Sequence, residues 1–103
     1  MADWVRVADP ADCPPGALLG VRAGSDTVVL ANVAGDMYAL EDRCSHQDFP
    51  LSDGELEGDR LECIYHGAKF DVCTGRAMAL PAIRPVKTYE VDVRDDGVYL
   101  KID

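Results

Sequence analysis

CSHQDFPLSDGELEGDRLECIYH, residues 44–66, holds two cysteine–histidine pairs, Cys44-Ser45-His46 and Cys63-Ile64-Tyr65-His66, with sixteen residues between them, and it contains both of the chain's histidines. Thiolates favour soft or borderline metals and imidazole suits iron or zinc, so C-x-H followed by C-x-x-H reads as a metal site. Core cysteines and histidines satisfied in a core are the ordinary alternative. Four such residues in two tight pairs have the spacing of ligands instead. Each pair implies a short loop that presents one thiolate and one imidazole from the same side. Zinc would accept the set as a tetrahedral Cys2His2 site. The zinc-finger order, however, groups the cysteines and then sets two histidines on a helix, and no helical histidine pair exists in this chain. A binuclear iron cluster with two cysteines on one iron and two histidines on the other accommodates a mixed pair in each loop better.

Beyond the four candidate ligands, the same region carries Pro50-Leu51, Gly67 directly after the last histidine, Phe70-Asp71 with Thr74-Gly75, and Pro81-Ala82. Taken together these residues resemble the Rieske 2Fe-2S motif, C-x-x-H-G-x-x-F-D-x-x-T-G followed by P-A. The likeness covers nearly the whole chain and is most specific over residues 44–82. It implies that Cys44 and Cys63 hold one iron and His46 and His66 the other, with one cluster per chain. It implies an all-β fold, an antiparallel sandwich or barrel base, with a small cluster-binding insert at about residues 42–82 inside a single domain, 1–103. It also implies a soluble ferredoxin component of a ring-hydroxylating oxygenase system. Such a component takes electrons from an NAD(P)H-dependent flavoprotein reductase and passes them to a terminal oxygenase.

The chain departs from the family's respiratory branch. Rieske proteins of that branch carry a disulfide between the two loops, at positions that correspond to Phe49 and Tyr65 here. They also place a serine and a tyrosine, whose hydroxyls donate to the cluster sulfurs, where this chain has Ala68 and Phe70. Hydrogen bonds to sulfur stabilise the reduced, more negative cluster, so their loss lowers the potential. The expected potential therefore lies near the low end of a span of about −150 to +300 mV. A low potential suits a carrier fed by NAD(P)H. Histidine ligation adds a second expectation, a potential that falls as the pH rises into the alkaline range. His46 and His66 are expected to be the electron exit, inside an apolar rim of Phe49, Pro50, Leu51, Tyr65 and Pro81.

Length and composition agree with a small carrier. With 103 residues, 48% of them hydrophobic, the chain can bury one core. The longest apolar run is Val28-Val29-Leu30-Ala31, far short of the roughly 18 residues that a membrane helix needs. The start, Met1-Ala2-Asp3-Trp4, lacks the basic and apolar regions of a signal peptide. A cytoplasmic, unanchored monomer is expected. A net charge of −9 argues against nucleic acid and anionic membranes as partners. It suits either solubility or steering toward basic docking patches. No G-x-G-x-x-G or P-loop pattern is present, and four ligands would close the cluster against substrate, so the chain is read as a carrier and not an enzyme. The acid pairs Glu41-Asp42 and Asp95-Asp96 read as solvated turn residues. Two other functions compete: a non-catalytic small subunit of a larger reductase, similar to that of nitrite reductase, and a zinc-stapled interaction module.

Outside the ligand region the pattern is that of strands. Short β-branched or apolar segments at Val5–Val7, Leu18–Val21, Thr27–Val33 and Met37–Leu40 are separated by turn signals such as Ala23-Gly24-Ser25-Asp26 and Ala34-Gly35-Asp36. Arg60–Cys63 and Lys69–Val72 are expected to flank the second ligand loop. Near the end, Tyr89, Val91 and Val93 alternate with polar residues, and after Asp95-Asp96-Gly97 the face Val98, Leu100, Ile102 continues, which predicts a hairpin. Cys13 and Cys73 are expected to be unbridged thiols in loops.

Overall fold

Val28-Val29-Leu30-Ala31 is apolar without interruption because its strand is covered on both sides. The computed structural model describes residues 3–43, 50–63, 68–79 and 85–102. Its strands are β1 (Asp3–Ala8), β2 (Leu18–Ala23), β3 (Asp26–Val33), β4 (Asp36–Glu41), β5 (Glu55–Glu57), β6 (Arg60–Glu62), β7 (Lys69–Asp71), β8 (Ala77–Ala79), β9 (Thr88–Tyr89), β10 (Val91–Arg94) and β11 (Gly97–Ile102). Two single 3₁₀ turns, Pro10–Asp12 and Leu51–Asp53, complete the elements, and there is no α-helix among the described residues. The all-β expectation holds. The strands form three antiparallel sheets: β1-β11-β10, β2-β3-β4-β9 and β5-β6-β7-β8.

The second sheet is the middle layer. Val28 and Leu30 turn one way and pack with Ala23 and Ala39 of the same sheet and with Val98 and Leu100, which join it to the first sheet. Val29 and Ala31 turn the other way and pack with Leu40, Leu61, Phe70 and Val72, which join it to the third. Successive side chains of a strand point to opposite faces, so a strand buried on both faces needs apolar residues at every position. A one-residue slip of β3 would exchange its two apolar sets between cores of different shape. Both cores are dry: Val28, Val29, Leu30, Leu61, Phe70 and Leu100 are each 0% exposed.

The β3–β4 hairpin shows how a two-residue connection is built. Ala34 and Gly35 take φ of 53° and 100°, the left-handed values that such loops require to match the strand twist. The Asn32 carboxamide supports the turn, with Oδ1 accepting from the Gly35 N–H at 2.8 Å and Nδ2 donating to the Cys13 carbonyl at 2.8 Å.

The C-terminal hairpin differs from expectation at its first strand. The alternation over residues 88–93 is divided at Glu90: β9 pairs with β4, whereas β10 pairs with β11. Val91 and Val93 do share a face, opposite Leu100 and Val98. Val93 is nonetheless 50% exposed: β10 is an edge strand, and among the described residues no strand pairs with its outer side. β5 and β8 have three residues each, too few for a period to show in the sequence.

Candidate metal centre

One row of paired residues runs straight across the third sheet: Glu55 with Glu62, Glu62 with Lys69, Lys69 with Ala79. Glu55 lies just after segment 44–49 and the 3₁₀ turn that follows it. Glu62 and Lys69 bracket Cys63, segment 64–67 and Ala68, and Ala79 precedes segment 80–84. Residues 50–62 of the spacer therefore fold back as a 3₁₀ turn and the β5–β6 hairpin, which sets Glu55 beside Glu62 at one end of the sheet. Adjacent strands stand about 4.8 Å apart, so four strand ends span about 14 Å, the scale of a small metal cluster and its ligands.

Local bonds cinch each of these departures. The Cys63 N–H donates to the Ala68 carbonyl at 2.7 Å, closing the base of segment 64–67. The Asp42 carboxylate accepts from the Ser52 N–H through Oδ1 and from the Ser52 hydroxyl through Oδ2, both at 2.7 Å, across the ends of segment 44–49. Gly54 brings the two bases together: a Cβ there would run into the Glu62 carbonyl oxygen, so only glycine allows the turn to lie against β6. Gly75, at φ +77°, donates to the Asp71 carbonyl at 2.7 Å, and its own carbonyl accepts from the Val86 N–H at 2.9 Å, which ties the chain beyond segment 80–84 to the turn after β7. In that turn Asp71 Oδ1 accepts from the N–H groups of Cys73 and Thr74 at 2.8 and 3.3 Å, and Thr74 Oγ1 accepts from the Arg76 N–H at 3.2 Å. The Phe70-Asp71 and Thr74-Gly75 signature is thus an apolar core residue followed by a self-capped turn.

Of the expected ligands, Cys63 is described: it is 0% exposed, directly after β6, in the core with Leu61, Ala68, Phe70 and Val72. Cys44, His46 and His66 lie outside the described residues, as do Phe49, Tyr65, Gly67, Pro81 and Ala82. Among the described residues no group of three metal-ligating side chains occurs. The described donor fits a 2Fe-2S cluster: Cys63 is a thiol removed from water at a strand end and backed by an apolar shell. Ala68 and Phe70, which replace the hydroxyl donors of the respiratory branch, are both fully buried beside it.

Two expectations change. Leu51, read as part of an apolar rim, is 0% exposed and belongs to the core between the second and third sheets. Asp42, read as a solvated turn acid, is half-buried and holds Ser52. Its role was not visible because its partner lies ten residues away; Ser52-x-Gly54 after the first ligand pair was the available signal. Cys13 does lie in a loop, after the 3₁₀ turn Pro10–Asp12, yet it is completely buried, and burial pushes its thiol above the usual range. Cys73 is exposed in the turn after β7, and neither is in a disulfide. The Cys73 side chain raises the Tyr38 hydroxyl above the ordinary phenol value.

Comparison with known proteins agrees with this geometry. Residues 3–90 match the family described as Rieske [2Fe-2S] domain. The chain is 40% identical over 98 residues to the ferredoxin component of biphenyl 2,3-dioxygenase from Rhodococcus jostii (strain RHA1), covering 95% of this chain and 92% of that one. It is 38% identical over 101 residues to the ferredoxin component of the naphthalene 1,2-dioxygenase/salicylate 5-hydroxylase systems of Ralstonia sp, covering 98% and 97%. Among solved structures, Sphingomonas yanoikuyae B1 ferredoxin superposes with a TM-score of 0.92 at 30% identity, over 98% of this chain and 100% of that one. A chain from the complex of reduced oxygenase and oxidized ferredoxin in carbazole 1,9a-dioxygenase gives 0.87 at 38% identity, over 94% and 91%. Among the described residues no helix is long and apolar enough to cross a membrane. A buried cysteine at the end of the third sheet, a family match over residues 3–90 and relatives matched over nearly their full length lead to one conclusion: the chain belongs to the Rieske 2Fe-2S family, alongside the ferredoxin components of dioxygenase systems.

Proposed function

We propose that this chain is a one-electron carrier that holds one Rieske 2Fe-2S cluster through Cys44 and Cys63 on one iron and His46 and His66 on the other. It takes electrons from an NAD(P)H-dependent flavoprotein reductase and delivers them to a terminal, aromatic-ring-hydroxylating oxygenase, acting as a cytoplasmic monomer and catalysing no reaction of its own. The whole chain, 1–103, is one domain, with its cluster-binding insert at about residues 42–82.

The observation that supports this reading best is the row Glu55–Glu62–Lys69–Ala79, next to which Cys63 is buried at the end of β6. The cluster supplies reversible one-electron chemistry, and the chain's own residues hold it and shape its surroundings. Leu61, Phe70 and Val72 exclude water behind Cys63. With no hydroxyl at residues 68 and 70, the cluster sulfurs lack two donors that would favour the reduced state, which keeps the potential low and matches a donor driven by NAD(P)H. Dioxygenase systems are multicomponent by the names of the relatives, and one neighbour is a complex of an oxygenase with a ferredoxin. The net charge of −9 steers the carrier toward basic patches on both partners, so transfer should weaken as salt rises.

The test is electron paramagnetic resonance (EPR) on anaerobically purified protein before and after dithionite, with iron and sulfide counted on the same sample. A silent oxidised state that gives an S = 1/2 Rieske signal on reduction, at about two irons per chain, is expected. A colourless protein with stoichiometric zinc would overturn the reading.

A further inference from the structure

We propose that Asp42 and Ser52 are a positioning pair for the cluster: their two-point clamp sets how the segment bearing Cys44 and His46 is presented, and Gly20 is glycine in order to leave room for it. This rests on reading the chain as a Rieske carrier.

Asp42 lies two residues before Cys44, and Ser52 lies six after His46. The two carboxylate oxygens are used separately, one on the Ser52 N–H and one on its hydroxyl, each at 2.7 Å. Bonds to an ionised acceptor are the short, strong kind, and a two-point contact fixes orientation as well as distance. The Ser52 N–H needs this partner. It belongs to a 3₁₀ turn whose capping position is Pro50, which offers no side-chain acceptor, so Asp42 caps the turn from outside.

The carboxylate is itself held still. The Asp42 N–H donates to the Thr27 carbonyl at 3.0 Å and the Glu41 N–H to the Lys87 carbonyl at 2.8 Å, so Asp42 extends the end of the middle sheet. Gly20 lies on β2, opposite Val29 of the same sheet. A Cβ on Gly20 would stand 2.9 Å from Ser52 Oγ, 3.1 Å from Asp42 Oδ2 and 3.2 Å from Ser52 Cβ. Its φ is not among the left-handed ones, so conformation does not call for glycine at this position; the space does. Two residues of the middle sheet and one of the 3₁₀ turn thus converge on one contact, which ties together the chain on the two sides of segment 44–49. Ligand-bearing groups must be held to within about half an ångström for a site to keep its geometry, and supporting contacts do that holding.

Three variants separate positioning from charge and from general stability. Ser52→Ala and Gly20→Ala loosen the clamp without altering charge, and Asp42→Asn changes the charge as well. Each anaerobic, cluster-loaded protein is measured for the line shape and g values of the reduced EPR signal, for visible circular dichroism, and for bleaching rate in excess chelator well below its unfolding midpoint. Loss of outer contacts at metal sites typically costs about 10- to 100-fold in metal affinity, so about tenfold faster bleaching is expected in all three variants, with a shifted or broadened signal. Variants that unfold at lower temperature but keep the wild-type signal and bleaching rate would overturn the inference, since that is what a purely structural bond predicts. So would a change confined to Asp42→Asn, which would assign the effect to charge. A wild-type protein with no Rieske signal would instead overturn the carrier reading, and this inference with it.

Discussion

Gly54→Ala tests the contact between the turn that follows segment 44–49 and the strand that leads to Cys63. Gly54 has φ −84° and ψ −160°, extended backbone open to alanine, and losing glycine's freedom in the unfolded chain is itself worth about 0.4–1 kcal/mol of stabilisation. The opposing effect is larger. The new Cβ would run into the Glu62 carbonyl oxygen and stand 3.1 Å from both the Glu62 carbonyl carbon and the Leu51 carbonyl oxygen, all backbone atoms that no rotamer change can move. Forcing extra atoms into a packed site costs about 1–3 kcal/mol, so the net loss is about 1–2 kcal/mol in a domain whose total stability is about 5–15 kcal/mol. At about 4–8 °C per kcal/mol for a domain of this size, the unfolding midpoint should fall by about 5–15 °C. The strain also has a direction, because the displaced carbonyl belongs to the peptide that continues into Cys63. The assay is a thermal scan at fixed rate, following visible bleaching and far-ultraviolet circular dichroism together, with EPR before heating. Gly58→Ala is the control: at φ +59° with nothing within 4 Å of a new Cβ, it costs only left-handed backbone strain, about 1–2 kcal/mol, and should leave the EPR signal unchanged. A Gly54→Ala protein that bleaches at the wild-type temperature with the wild-type signal would refute the reasoning.

Phe70→Tyr returns a hydroxyl to a fully buried position beside Cys63. A net hydrogen bond of about 0.5–1.5 kcal/mol to the reduced cluster should raise the midpoint potential by about 20–60 mV at 59 mV per tenfold change for one electron; an unchanged or lower potential in a redox titration would count against a position near the sulfurs. Burial, and after it the Asp26 carboxylate, pushes Tyr89 up to about 12, against about 10 for a free phenol. The folded state therefore keeps this proton more tightly, and the associated stability is complete below about pH 10 and lost as the pH rises from there through about 12. Tyr89→Phe should flatten that decline in denaturant midpoints measured across the window, and identical slopes would contradict it. A maleimide at about pH 8 should label exposed Cys73 in the folded protein but reach Cys13, buried and raised by desolvation, only after denaturation; equal rates at the two thiols would show that the 9–17 region opens easily.

Family and fold class were legible because their signals are short-range. Cysteine and histidine spacing within a few residues identifies a ligand type, period-2 alternation identifies a strand, and Asp71 and Thr74 bond within their own turn. What the alternation does not carry is which sheet a strand joins. Thr88–Tyr89 and Val91–Arg94 look continuous in the sequence, yet they pair with β4 and β11 respectively. Leu51 looks like a rim residue from its neighbours in the chain, and only the arrival of the middle sheet buries it.

By itself, then, the amino-acid sequence determined the family, the all-β class and most strand positions, since backbone sterics and ligand chemistry act over a few bonds. Tertiary structure decided that β3 is covered on both faces, that the β5–β6 hairpin sets Glu55 beside Glu62, and that Asp42, Ser52 and Gly20 meet. Those outcomes depend on atoms from distant parts of the chain competing for the same space and the same hydrogen-bond partners, and no local pattern records that competition.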